Sequence, residues 1–202
     1  MVAIPALFFL SIAYSIVRYV AFAPKNLESL PVFVVNKGVS MAAALCFAFG
    51  FLAALRRSRG ATVVTEPAAW FRAGTFGAIW HVPMSLAILR PAYFPEFFRT
   101  AAAAGDGAEP RLSFAGETVF LFGGLAAGGL FLLLRPSWTP RFRHLLSIAF
   151  LSLLLAHVLA MGWCRGLNIN ASHAYLPPMW FLSAVGIVLG LVWLVRTRRP
   201  LE

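Results

Sequence analysis

Four histidines stand in a chain of 202 residues that is otherwise sparing with ionisable groups. His81 and His157 lie deep inside apolar runs, His144 follows Arg143 at the start of the second of those runs, and His173 falls in a polar stretch. An ionisable side chain at lipid depth is costly, so each one within a spanning run is a functional hypothesis. At the helical rise, His81 lies roughly 20 Å from the start of its run near residue 68, and His157 roughly 21 Å from the start of its run near residue 143. The two runs cross in the same direction, which sets the imidazoles level. Two neutral imidazoles at one depth on different helices supply the donors for both axial positions of a b-type haem, one on each face of the ring. His144 sits roughly 20 Å lower than His157 and about 140° around an ideal helix from it. No histidine matches that depth on the other run, where Ala68 and Ala69 stand. A second bis-histidine site therefore has no visible pair. His144 reads as an interfacial group beside a headgroup or a partner's cofactor, and His173 as a solvated loop residue.

The neighbours of His81 suit a flat ligand. Gly74 and Gly77 precede it by seven and four residues, on the same helical face, and are expected to clear bulk where a macrocycle would enter. Pro83 is expected to bend the helix nearby. The plainer alternative is that each histidine bonds across helices to a hydroxyl or carbonyl, with the glycines serving only close approach. Arg18 and Lys37 each lie about 9 Å inside the outer end of their runs. Their long stems let both snorkel to headgroups. The sharper reading makes them partners of haem propionates, carboxylates that call for cations. Asn36 is able to bond across helices in either case.

The elements that must position these groups are membrane spans. The chain is 60% hydrophobic and 12% charged, against about a quarter charged in soluble domains, and its mean hydropathy is +0.81. Spans need about 20 mostly apolar residues. Six stretches qualify: 3–23, 31–55, 68–89, 113–134, 143–162 and 177–195. The first lacks the basic leader of a signal peptide and is kept as a span. The fold class expected is an all-α integral membrane protein, a single domain of six transmembrane helices. Residues 90–112, with Ala101–Ala104 and a Gly-Asp-Gly, are expected to form a mobile extracytoplasmic loop. Arg56, Arg57, Arg59, Arg135, Arg141, Arg143, Arg196, Arg198 and Arg199 cluster at one set of span ends. By the positive-inside rule both termini are cytoplasmic, as in a cell inner or plasma membrane. The net charge of +10 is carried at span ends, which argues against nucleic acid.

Other features read as structural. Glu117 falls near a helix N-terminus, where the dipole favours it. Gly124 and Gly128, and again Gly186 and Gly190, have the spacing of close helix packing. Trp70, Trp138, Trp163, Tyr175 and Trp180 form an aromatic belt. Cys46 and Cys164 lie at different depths and receive no role. Asn170-Ala-Ser172 is a formal glycosylation sequon.

Arg141-Phe-Arg-His144 and the apolar run to His157 resemble the fifth helix of the ferric reductase-like transmembrane domain family. Ile79-Trp-His81-Val-Pro-Met-Ser-Leu-Ala-Ile-Leu89 is similar to its third helix, and Pro91-Ala-Tyr-Phe-Pro-Glu-Phe-Phe98 and Arg111-Leu-Ser-Phe-Ala-Gly-Glu117 are similar to the loop and fourth-helix start that follow. The resemblance covers about residues 68–162. It implies haem between helices three and five, with His81 and His157 as ligands and His144 in the place of an inner ligand whose partner is missing. It also implies electron transfer to an outer acceptor. Only residues 196–202 follow the last span, so no fused reductase domain is expected, and the donor would be a separate protein or a diffusible flavin or quinol. Two other readings stay open. One is a cofactor-free transporter with Arg18, Lys37 and His81 lining a path. The other is a structural anchor for another subunit.

Overall fold

A computed structural model describes residues 2–22, 30–99, 111–135, 137–163 and 176–196. Apolar runs at lipid depth must satisfy every backbone group internally, and helices do so within one segment. The described residues accordingly form six α-helices: α1 Ala3–Ile16, α2 Leu30–Ser58, α3 Pro67–Ala87, α4 Phe114–Leu133, α5 Pro140–Trp163 and α6 Met179–Arg196. A π-helical turn, Val17–Ala21, extends α1. Five of these segments are long and apolar enough to cross a membrane, so the chain is a multi-pass integral membrane protein. The exception is α3. Its Arg72, Trp80, His81, Pro67 and Pro83 dilute its apolar content, although its 21 residues span about 31 Å.

The bundle is organised around α2. Of its most apolar window 72% is buried, against 17–33% for the other four. Its sequence explains this: Gly38, Ala42, Ala43, Ala44, Ala48 and Gly50 keep the helix thin enough for α1, α3 and α6 to approach together. A Cβ on Gly38 would lie 2.7 Å from Cα of Ile12 in α1. On α6, a Cβ at Gly186 would meet Leu45 at 2.5 Å, and one at Gly190 would meet Ala48 Cα at 3.4 Å, so this glycine pair packs as its spacing predicts. Gly124 and Gly128 do not: a Cβ at either meets nothing within 4 Å. That face of α4 is open, because α5 packs along the neighbouring stripe that carries Gly129 and Ala126.

Helix α3 packs along α2, while α5 packs along α4 and α6. Among the described residues α3 has no comparable seam with α4 or α5. One core cluster joins Phe47 and Phe51 of α2 to Phe150 and Leu151 of α5 and Ile187 of α6. A second, nearer the 90–112 loop, joins Ile88, Phe94, Phe97 and Val119. The base of that loop is therefore built into the bundle rather than loose on its surface. Phe94 and Phe97 are buried, and Phe98 pairs with Leu112 in an isolated bridge. Residues 100–110 lie outside the described set. Ser113 caps α4, its hydroxyl accepting from Gly116 N at 3.2 Å, and Glu117 sits in the first turn, where the dipole argument places it.

Candidate functional site

The polar groups of the bundle gather where α2 faces α3. Asn36 is buried on α2, and His81 and Ser85 stand one turn apart on α3. The amide nitrogen of Asn36 donates to Ser85 Oγ at 3.0 Å. Its carbonyl oxygen then faces His81 Nδ1 at 2.7 Å. An amide oxygen only accepts, so Nδ1 of His81 carries the proton and donates. The lone pair is left on Nε2, and Ser85 Oγ lies 3.2 Å from Nδ1 and 3.4 Å from Nε2.

His157 arrives at the same state by a different route. Its Nδ1 lies 2.9 Å from the backbone carbonyl oxygen of Val119 in α4. A carbonyl also only accepts, so Nδ1–H donates and Nε2 again holds the lone pair. No hydrogen bond among the described residues engages that Nε2. The contact depends on Gly123, because a Cβ there would stand 2.9 Å from His157 Nδ1. In a helix the side chain four residues on shields a carbonyl, and glycine leaves it open. Gly123 and Ser85 are site residues that the sequence reading missed. Their signals were the spacing of Ser85 one turn after His81 and the doublet Gly123-Gly124.

Lys37 completes the cluster. Its ammonium lies 5.4 Å from the ring centroid of Phe33 and 5.0 Å from that of Phe94, a cation–π setting. Asn36, His81 and Ser85 thus form one hydrogen-bonded group between α2 and α3, while His157 bonds to α4.

Arg18 goes elsewhere. It is 3% exposed, which overturns snorkelling. Its Nη1 donates to the Pro177 carbonyl at 3.0 Å and also to that of Leu176, while Tyr14 OH donates to the same Pro177 carbonyl at 2.5 Å. Carbonyls just ahead of α6 take the charge-assisted bonds, and α1 is tied to α6. Arg18 itself lies in the π-helical turn Val17–Ala21.

Gly74 and Gly77 also need correction. Rather than clearing a slot, they seat α3 on α2. A Cβ at Gly74 would lie 2.9 Å from the Phe47 ring, and one at Gly77 would lie 2.9 Å from Ala43 Cβ and 3.2 Å from Phe8. Gly77→Val is expected to lower the thermal unfolding temperature of the detergent-solubilised protein, at a cost of about 1–3 kcal/mol for overpacking. His144 is half-buried on α5, with Nδ1 enclosed and without a hydrogen-bond partner among the described residues. Cys46 is buried and free, a small apolar filler. Cys164, Asn170, His173 and Tyr175 lie outside the described residues.

The hydrogen bonds at the two imidazoles have the form found behind ligating histidines. A ligating histidine commonly donates its other ring N–H to a carbonyl or similar acceptor, which fixes the tautomer and aims the lone pair. His81 and His157 both do this, from helices that are not sealed against each other. Among the described residues no three His, Cys, Asp or Glu side chains converge on one point. A metal here would take its remaining donors from a macrocycle. No family model matches the chain, and no curated protein matches it.

Proposed function

We propose that the chain is a six-pass membrane electron-transfer protein, both termini cytoplasmic, that holds one b haem between α3 and α5 through His81 and His157. The resemblance of residues 68–162 to the ferric reductase-like transmembrane domain family points the same way. The observation that carries the reading is the matched pair of tautomers. Each imidazole spends its Nδ1–H on a neighbouring helix, which leaves the lone pair on Nε2, where Ser85 Oγ is the competing partner at His81. Bound haem supplies one-electron exchange at its iron. The protein's part is to orient the two rings and to exclude water with Ile88, Phe94, Phe97 and Val119. Lys37 places a positive charge beside the site for a propionate. Arg18, already engaged by two carbonyls, serves the α1–α6 contact instead. The donor is a separate protein or a diffusible flavin or quinol, and the acceptor is extracytoplasmic.

The test is an absorption spectrum of the solubilised protein, oxidised and dithionite-reduced, after expression with haem supplied. A low-spin b-type spectrum at one haem per chain is the expected result, and a colourless protein overturns the proposal. Asn36→Leu is expected to keep His81 but remove the acceptor for its Nδ1–H. Loss of the group that a ligating histidine's other N–H bonds costs about 10–100-fold in affinity, read as haem lost on dilution. The hydrogen-bonded Asn36–Ser85–His81 group beside Lys37 also favours one second reading, a cofactor-free path for protons or an anion. A pH-dependent flux in proteoliposomes without a chromophore would select it.

A further inference from the structure

Between α4 and α5 runs an open apolar groove of about 460 Å³. Its floor is Gly124, Leu125 and Gly128 of α4 with Leu146, Ala149 and Leu153 of α5. The absence of side chains at Gly124 and Gly128 makes it, since among the described residues nothing comes within 4 Å of a Cβ at either. The groove ends at Phe131 and Leu132, in the last turn of α4.

That end is marked by charge. The guanidinium of Arg135 lies 5.9 Å from the ring centroid of Phe131. The indole N–H of Trp138 donates to the Leu132 carbonyl at 2.8 Å, and the Trp138 and Phe142 rings stand 4.6 Å apart. Helix α5 then begins with no acidic residue in its first turn. Arg141 and Arg143 add to the positive end of its dipole. Residues 134–143 hold three arginines and no carboxylate.

We propose that this groove binds one anionic phospholipid, its acyl chain lying over Gly124 and Gly128 and its phosphate held by Arg135 and the start of α5. Guanidinium groups bond phosphate oxygens in a fork, and an indole belongs at the headgroup level. The charge separates this occupant from the alternatives. A second copy docking through the same face would set two arginine clusters against each other at one membrane surface. An isoprenoid quinol would bring no anion to them.

The test compares phosphatidylglycerol with phosphatidylcholine of identical acyl chains, by native mass spectrometry of the full chain released from nanodiscs. One phosphatidylglycerol per chain is expected to be retained, with at least about a tenfold preference for it. Gly128→Leu fills open space and Arg135→Gln alters an exposed side chain, so both should fold, as unchanged gel-filtration elution would report. Each is expected to lose most of the retained phosphatidylglycerol, while Arg135→Lys keeps part. Equal retention of the two lipids overturns the proposal, as does retention unchanged in either variant. A chain dimer that Gly128→Leu dissociates overturns it too.

Discussion

Removal of either deep imidazole is expected to leave the purified protein without haem. His81→Ala and His157→Ala each delete one of two axial donors in a site where the described residues offer no third. Loss of the group that a ligating histidine's other N–H bonds already costs about 10–100-fold in metal affinity, and loss of the donor itself should exceed that. Haem-to-protein ratios after gel filtration are the measurement. His144→Ala is the matched control. Its ring belongs to neither hydrogen-bonded pair, so its haem content should equal that of the parent. The stronger arm is rescue: imidazole added during expression should enter the space vacated in His157→Ala and restore a low-spin spectrum. Full haem content in both alanine variants would show that the two rings serve only to bond α3 to α2 and α5 to α4.

The helices were legible because backbone satisfaction at lipid depth leaves apolar runs only one solution, although five of the six, without α3, are long and apolar enough to cross a membrane. Their ends were less so. Helix α2 outruns its apolar stretch to Ser58, since Arg56 and Arg57 are good helix formers. It stops where Gly60, at φ 76°, turns the chain into the left-handed region that closes helices. Helix α5 begins at Pro140 rather than residue 143, because proline suits the first helical position and Thr139 Oγ1 accepts from Phe142 N at 3.3 Å. Counting along the helices also placed Asn36 and His81 where they bond across α2 and α3, while His157 bonds to the Val119 carbonyl of α4. What counting along one helix cannot supply is rotation against a neighbour. Gly74 and Gly77 share a face as their spacing says, but the face meets Phe47 and Ala43 instead of a ligand. Arg18 and Lys37 share a depth, yet one reaches the carbonyls before α6 and the other the rings of Phe33 and Phe94.

Gly123 and Gly124 turn that point about rotation into an experiment. Successive helical positions are about 100° apart, so the two glycines face different surroundings although they adjoin in sequence. A Cβ at residue 123 would stand 2.9 Å from His157 Nδ1 and 3.0 Å from its Cε1, whereas one at residue 124 meets nothing within 4 Å. Gly123→Val is therefore expected to push the imidazole off the Val119 carbonyl, losing both the hydrogen bond that fixes its tautomer and the aim of Nε2. Haem content should fall nearly as far as in His157→Ala, with a drop in stability of about 1–3 kcal/mol from overpacking. Gly124→Val should retain haem. Valine replaces glycine in the same helix in both variants, so the change in intrinsic helix propensity cancels and the difference isolates one contact. Equal haem content in the two would mean that His157 can turn away from Gly123 without consequence, and that the carbonyl of Val119 does not set its orientation.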